Sequence, residues 1–373
     1  MAKDINKKQF DETTKLKLDI FGECFEEWLP VFIHDRYTSD IYIFDFFAGS
    51  GKDIEDNLGS PLILLDKAKG NKLQYCSNTK KEINFIFNEA KPRKSKKLEE
   101  NVINYIEECK SKNNCETCSY NYEIKNFEFK DILNDTNIKS ILKNKEFGKF
   151  VILDQYGFKE VDDDIFRQLI SFPKADFIFF ITSSSINRFK KHPNIIKYID
   201  TSKIEFDDPK EIHRAVTKYF RDLIPKGKEY YLHNFSIKKE NSGNYYGLIF
   251  GSNHTLGMEK FLKVCWKHDK LSGEANYNID DNFEKGTLFY EKQNIKKDLI
   301  SKEIENEILS GSITSNIDGL KYAMLKGCEP KLFTEVVKKL EKNNKIERLG
   351  DKNYSSTNIH RVKKYKIGIK DET

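Results

Sequence analysis

The stretch Ile41-Tyr42-Ile43-Phe44-Asp45-Phe46-Phe47-Ala48-Gly49-Ser50-Gly51 limits the fold more than any other part of the chain. Its opening apolar run is too short for a helix and rich in aromatics, so it predicts a buried strand. The run closes on an acid, and Ala48, Gly49 and Gly51 follow at the turn. Residues this small let a ligand approach the backbone, because no large side chain stands in the way. Ligands of open parallel α/β sheets bind beyond the carboxyl ends of the strands. Asp45, Phe46, Ala48, Gly49 and Gly51 are therefore the first candidate binding residues. Ile54 occupies the position where the dinucleotide fingerprint G-x-G-x-x-G needs its third glycine, so that reading fails. A tight strand-to-helix turn with no ligand fits the same residues.

Further strands alternate with helical stretches along the chain. Residues 12–33 predict an amphipathic helix through Leu16, Ile20, Phe21, Cys24, Phe25, Trp28 and Leu29, kinked or ended by Pro30. Gly59-Ser60-Pro61-Leu62 reads as a helix start with Ser60 as cap. Strands are expected at 83–89, 124–129, 150–153 and 176–181. Glu89 closes the first of these, where an acid can accept from both hydroxyls of a ribose or simply be a solvated strand end. Asp131 can receive an adenine amino group or belong to a helix cap. A helix is expected at 211–223, then a hairpin of 230–238 and 245–251 around Glu240-Asn241-Ser242-Gly243-Asn244. The βαβ alternation predicts a mostly parallel α/β sheet, and the hairpin a late antiparallel edge.

The chain has 373 residues, 38% apolar and 33% charged, with 28 Phe and 18 Tyr to fill its core. That length suggests more than one domain. The boundaries expected are a covering helix at 1–38, the sheet domain at 39–267 with an insertion near 71–122, a linker at 268–294 and a basic domain at 295–373. No stretch reaches the roughly eighteen apolar residues of a membrane span, and Met1–Lys8 lacks the apolar core of a signal peptide. A cytoplasmic protein with no membrane partner is expected. Seven cysteines in such a compartment argue against a disulfide framework. Cys115 and Cys118 form one C-x-x-C pair, and with Cys109 and Cys76 they can supply four thiolates to a structural zinc. Reduced cysteines in a surface insertion are the alternative.

The C-terminal part changes character. Helices are expected at 297–309, 318–325 and 329–342, then strands at 346–349 and 362–369 around Gly350-Asp351-Lys352, a winged-helix-like module. Residues 331–373 carry 12 Lys/Arg against 6 Asp/Glu. Lys338, Lys339 and Lys342 on the third helix, with Arg361, Lys363 and Lys364 beyond it, suit the phosphates of DNA or RNA. A protein-contact or merely solvated surface has the same composition.

The pattern D-x-F-A-G-x-G resembles the first motif of class I S-adenosylmethionine (SAM) methyltransferases. Several stretches together resemble one family, the three-Cys-motif partner proteins. They are Lys17-Leu18-Asp19-Ile20-Phe21 with Trp28-Leu29-Pro30, Ile43–Gly51 with Gly59–Leu62, Phe85–Glu89, Leu153–Gly157, Asn187-Arg188-Phe189, and Tyr245–Gly257. The likeness runs over about residues 13 to 350. It implies a Rossmann-like class I methyltransferase sheet with a C-terminal helical module, and a radical-SAM-like partner protein that carries the three cysteines. Cys109, Cys115 and Cys118 are not that motif. The family shows Asp-Pro-aromatic-Gly after the fourth strand, where this chain has Asp154-Gln155-Tyr156-Gly157. Methylation of a base amino group needs an acceptor for the exocyclic N–H and an aromatic surface for the flipped base, and Asp154 and Tyr156 can supply them. No cysteine follows a proline there, which argues against a covalent attack on cytosine. Two functions are expected to compete: a SAM-dependent methyltransferase acting on nucleic acid, and a non-catalytic protein that binds the three-Cys-motif partner.

Overall fold

The computed structural model describes residues 9–69, 80–113, 120–155, 157, 159–188, 198–240, 242–280, 295–350 and 353–370. The chain divides into two compact units, Met1–Asn253 and His254–Thr373.

The first unit is built on strands β1 (Ile41–Asp45), β2 (Ile83–Asn88), β3 (Tyr120–Lys125), β4 (Gly148–Leu153), β5 (Ala175–Ile181), β6 (Tyr231–Lys238) and β7 (Tyr245–Ser252). They form one sheet in the order β3-β2-β1-β4-β5-β7-β6. The first five pair in parallel, whereas β7 runs antiparallel to both β5 and β6. This is the expected class I methyltransferase-like α/β sheet, and its order reverses at β1, which sits between β2 and β4. A reversal of this kind opens a crevice at the carboxyl ends of the strands.

Phenylalanine fills both faces. Helix α1 (Glu12–His34) lays Phe25 and Trp28 against Phe150, with ring centroids 5.7 and 5.1 Å away. Helix α2 (Ser60–Ala68) packs beside α1 on that face. On the other face, α6 (Asp163–Ser171) brings Phe166 to Phe177 at 6.1 Å, and α8 (Ile212–Asp222) brings Phe220 to Phe179 at 5.2 Å. In chain order α3 (Pro92–Asn113), α4 (Phe129–Asn134) and α5 (Thr136–Lys143) follow α2, and α7 (Ser183–Arg188) precedes α8.

Several expectations need correction. Pro30 does not end the helix, since α1 continues to His34. An interior proline costs roughly 3 kcal/mol, but Trp28 and Phe32 pack as a tilted pair with ring centroids 4.4 Å apart and hold the last turn on the core. Lys81 then donates to the Phe32 carbonyl at 2.6 Å, satisfying part of the helix end. The α1 stripe passes through Lys17 and Leu18, both buried, rather than through Leu16. The cap of α2 is Gly59, one residue before Ser60. Strand β3 lies at Tyr120–Lys125, earlier than the 124–129 expected, because Phe129 starts α4 and is buried there. As an edge strand, β3 buries only Tyr120 and so lacks a strong apolar pattern.

The second unit contains α9 (Thr255–His268), α10 (Ile295–Leu309), α11 (Asn316–Leu325) and α12 (Lys331–Lys342), with the antiparallel ribbon β8 (Ile346–Gly350) and β9 (Tyr365–Ile369). The expected succession of three helices and a ribbon is present, but the ribbon is not a tight hairpin at Gly350. A 3-10 turn at Ile359–Arg361 lies between its strands. Glu259 of α9 anchors that turn, accepting from the Asn358 and Ile359 N–H groups at 2.8 and 2.9 Å. No helix among the described residues is long and apolar enough to cross a membrane.

Candidate functional site

The carboxyl edge of the sheet collects the groups that matter. Strand β1 delivers Asp45, and the chain then turns through Gly49 and Gly51 with φ of 65° and 81°. Such left-handed backbone is cheap only for glycine. A side chain at Gly51 would also meet Leu98 at 3.1 Å, so this glycine serves helix packing as well as the turn. Asp45 is fully buried. One carboxylate oxygen accepts from the Phe47 N–H at 3.1 Å, while Oδ2 has no hydrogen-bond partner. Burial pushes this carboxyl up to about 7 against the pull of Ser60, and the charge of Asp154 pushes the same way. An unpartnered buried carboxylate is expensive unless something polar meets it. With the small residues beside it, Asp45 fits a polar, cationic ligand end.

Asp154 lies one residue beyond β4, the neighbour of β1. Lys17 reaches it from α1, with Nζ 2.7 Å from Oδ1 and 2.5 Å from Oδ2. The lysine side chain is 7% exposed and the aspartate side chain 16%, so the pair is largely out of water. Lys17 also stands 4.7 Å from the centre of the Phe180 ring. Gln155 stiffens the turn after β4. Its Oε1 accepts from the Glu160 and Val161 N–H groups at 2.9 and 3.3 Å, and its buried Nε2 has no partner. Gly157 follows with φ of 107°, and its carbonyl receives the Thr182 N–H at 3.0 Å, linking the turns after β4 and β5. Tyr156 lies outside the described residues.

At the end of β2, Glu89 is half-buried beside the same edge and accepts from the Lys91 N–H at 2.8 Å. Its neighbour Asn88, which the sequence did not single out, ties three segments together. The carboxamide donates to the Phe46 and Phe127 carbonyls at 3.2 and 3.0 Å and accepts from the Phe127 N–H at 3.1 Å. Its backbone carbonyl takes the Ala48 N–H at 2.9 Å. Asp131 sits exposed in the first turn of the short α4. Phe46 and Phe47 pack on Phe129 at 5.7 and 5.0 Å, closing the floor of this corner.

Asp53 is the other residue the motif did not reveal. It accepts from Glu55 N, Asn57 N, Asn57 Nδ2 and Phe10 N, all between 2.8 and 2.9 Å. Burial alone would raise its carboxyl, but these four donors win and hold it below the usual range. They fix the loop after Gly51 and fasten the chain just before α1. A hint was available in the sequence, because an acid followed by Asn57 and Gly59 is the chemistry of a compact turn.

Of the cysteines proposed as zinc ligands, Cys76, Cys115 and Cys118 lie outside the described residues. Cys109 is partly exposed near the end of α3, its sulfur 3.5 Å from Asn113 Nδ2. Lys338, Lys339 and Lys342 are exposed on α12, and Arg361, Lys363 and Lys364 are exposed before β9. Lys339 pairs with Glu305 at 3.3 Å, and Lys338 stands 4.7 Å from the Tyr354 ring centre.

No family model matches this chain. No curated protein matches it either. Among solved structures, the chain is similar to Trm1 from Pyrococcus horikoshii in complex with S-adenosyl-L-methionine. Identity is 11% and the TM-score 0.37, over 69% of this chain and 59% of that one. It is also similar to an O-methyltransferase from Bacillus cereus in complex with SAH, with 12% identity and a TM-score of 0.33 over 65% of this chain and 90% of that one. A human methyltransferase 10 domain containing protein gives 10% identity and a TM-score of 0.32 over 63% of this chain and 83% of that one. Likenesses this distant carry no weight beside the strand order itself.

Proposed function

We propose that this protein binds SAM at the carboxyl edge between β1 and β2 and methylates an amino group of a nucleic-acid base. The observation that carries the reading is Asp45, buried with an unpartnered oxygen where β1 turns through two left-handed glycines. Asp45, Gly49 and Gly51 suit the amino-acid end of SAM, and Glu89 suits its ribose. Phe46, Ala48 and Asp131 complete the group of candidate contacts. SAM, when bound, supplies the methyl group.

The chain's own residues would do the rest by alignment, which can supply several kcal/mol of a barrier. Asp154 accepts from the N–H of the target amine and orients its lone pair. Lys17 does not exhaust that capacity, because two carboxylate oxygens offer about four acceptor directions. The amine nitrogen would gain the methyl group as the methyl–sulfur bond of SAM breaks, and its displaced proton would pass by way of Asp154 to solvent. Tyr156 provides the aromatic surface for the flipped base. Transfer of labelled methyl groups from SAM to DNA or RNA tests this, with Asp154→Asn expected to lose most of the activity and to keep SAM affinity.

A second reading has its own support. Lys17 holds both oxygens of Asp154 in the resting protein, and the resemblance of the sequence to three-Cys-motif partner proteins suggests a protein partner. In that reading the chain keeps the SAM fold and works through its radical-SAM-like partner without transferring a methyl group. SAM affinity without label transfer to nucleic acid, in the presence of that partner, would favour it. One equivalent of zinc in the purified protein, lost in Cys115→Ser, would support a structural metal in the insertion.

A further inference from the structure

We propose that the basic turn opening α3, together with Phe127, is the surface on which a single strand of nucleic acid lies. This rests on the reading above and locates its substrate on the first unit. Lys91-Pro92-Arg93-Lys94-Ser95-Lys96-Lys97 holds five cations and no acid. The helix buries Ser95, Leu98, Val102 and Ile106, which leaves Arg93, Lys96 and Lys97 exposed on the outer side. Residues three and four apart on a helix are neighbours, so these like charges repel one another. They also stand at the end of the helix where its own dipole disfavours cations. Glu99 and Glu100, three and four residues beyond Lys96, offset part of this repulsion, but the first turn of the helix holds no acid. An external polyanion would relieve what remains.

Among the described residues Lys91, Arg93, Lys96 and Lys97 make no ion pair. On α12, Lys339 pairs with Glu305 and Lys338 stands over the Tyr354 ring, while Lys342 makes no ion pair among the described residues. The sequence balance favoured the C-terminal module, and the geometry points to α3.

Position adds the second argument. Asn126 Nδ2 donates to the Glu89 and Ala90 carbonyls at 2.7 and 3.0 Å, bringing its loop alongside the chain that enters α3. The next residue, Phe127, is 48% exposed although large and apolar. Its N–H and carbonyl are both held by the Asn88 carboxamide, so the ring is presented on a fixed backbone. Cations that follow phosphates beside an exposed aromatic that meets bases are the components of a single-strand surface. A duplex would use the cations but hide its base faces from the ring.

Fluorescence anisotropy of labelled oligo(dT) and of a labelled duplex, over roughly 50 to 200 mM salt, tests the surface on the full chain. The triple variant R93Q/K96Q/K97Q should lower the salt slope for oligo(dT) by about 2, from roughly 0.7 per lost phosphate contact. F127A should weaken oligo(dT) about tenfold and leave the duplex unchanged. Both variants should keep SAM affinity and the wild-type circular dichroism spectrum. If wild type binds oligo(dT) and the triple variant has the same slope and affinity, this surface is wrong while the nucleic-acid reading survives. If wild type binds neither polymer, both fail. If F127A loses SAM affinity but keeps oligo(dT) affinity, the ring belongs to the cofactor and the stacking role is overturned.

Discussion

Asp45 and the Lys17–Asp154 pair meet at neighbouring strand ends, and each can be tested by substitution. The carboxyl of Asp45 is raised to about 7 in the folded chain, against about 3.9 when unfolded. A raised carboxyl contributes stability that is complete below about pH 4 and lost as pH rises through about 7. Asp45→Asn removes that loss. Its stability relative to wild type should climb between about pH 4 and 7 and then level off, as read from thermal midpoints across pH. A difference that stays flat throughout would contradict the buried, protonated state. For the ion pair, Lys17→Met strands a largely buried carboxylate and should cost about 3 kcal/mol in urea unfolding. Adding Asp154→Asn should recover most of it. Additive losses in the double variant would mean that the two side chains do not act together.

At the scale of elements, legibility in the sequence followed burial. Strands β1, β2, β4 and β5 are nearly all buried and read as short apolar runs. Strand β3 is an exposed edge, so Phe127 and Phe129 attracted the strand reading although one is on the surface and the other starts a helix. The glycine turn was legible because left-handed backbone selects glycine. Lys17 was not, because a charge on an apolar stripe shows its partner only once β4 is placed beneath it. Its spacing of three and four residues from Ile20 and Phe21 was the available sign. Asn88 and Asp53 were hidden for a related reason, since their hydrogen bonds join segments that only folding brings together. Asp53→Ala removes the acceptor for four donors and should cost about 2 kcal/mol or more. It should also weaken SAM binding through the loop after Gly51. Unaltered stability by denaturant titration would show that the loop holds itself.

For the molecule as a whole, two units share the chain, and the roles proposed for them are separable. The cofactor residues and the α3 surface belong to the first unit, Met1–Asn253, and the lysines of α12 to the second. Replacing Lys338, Lys339 and Lys342 with Glu should therefore leave SAM affinity unchanged, whatever it does to polyanion binding. The proposed function requires SAM at the carboxyl edge. Isothermal titration of the full chain with SAM, with NAD as the control and Glu89→Ala as the variant, tests that most directly. The account predicts one equivalent of SAM bound, no affinity for NAD, and a loss of about 1 to 3 kcal/mol on removing the Glu89 carboxylate. No heat with SAM, or the same affinity in Glu89→Ala as in wild type, would contradict it.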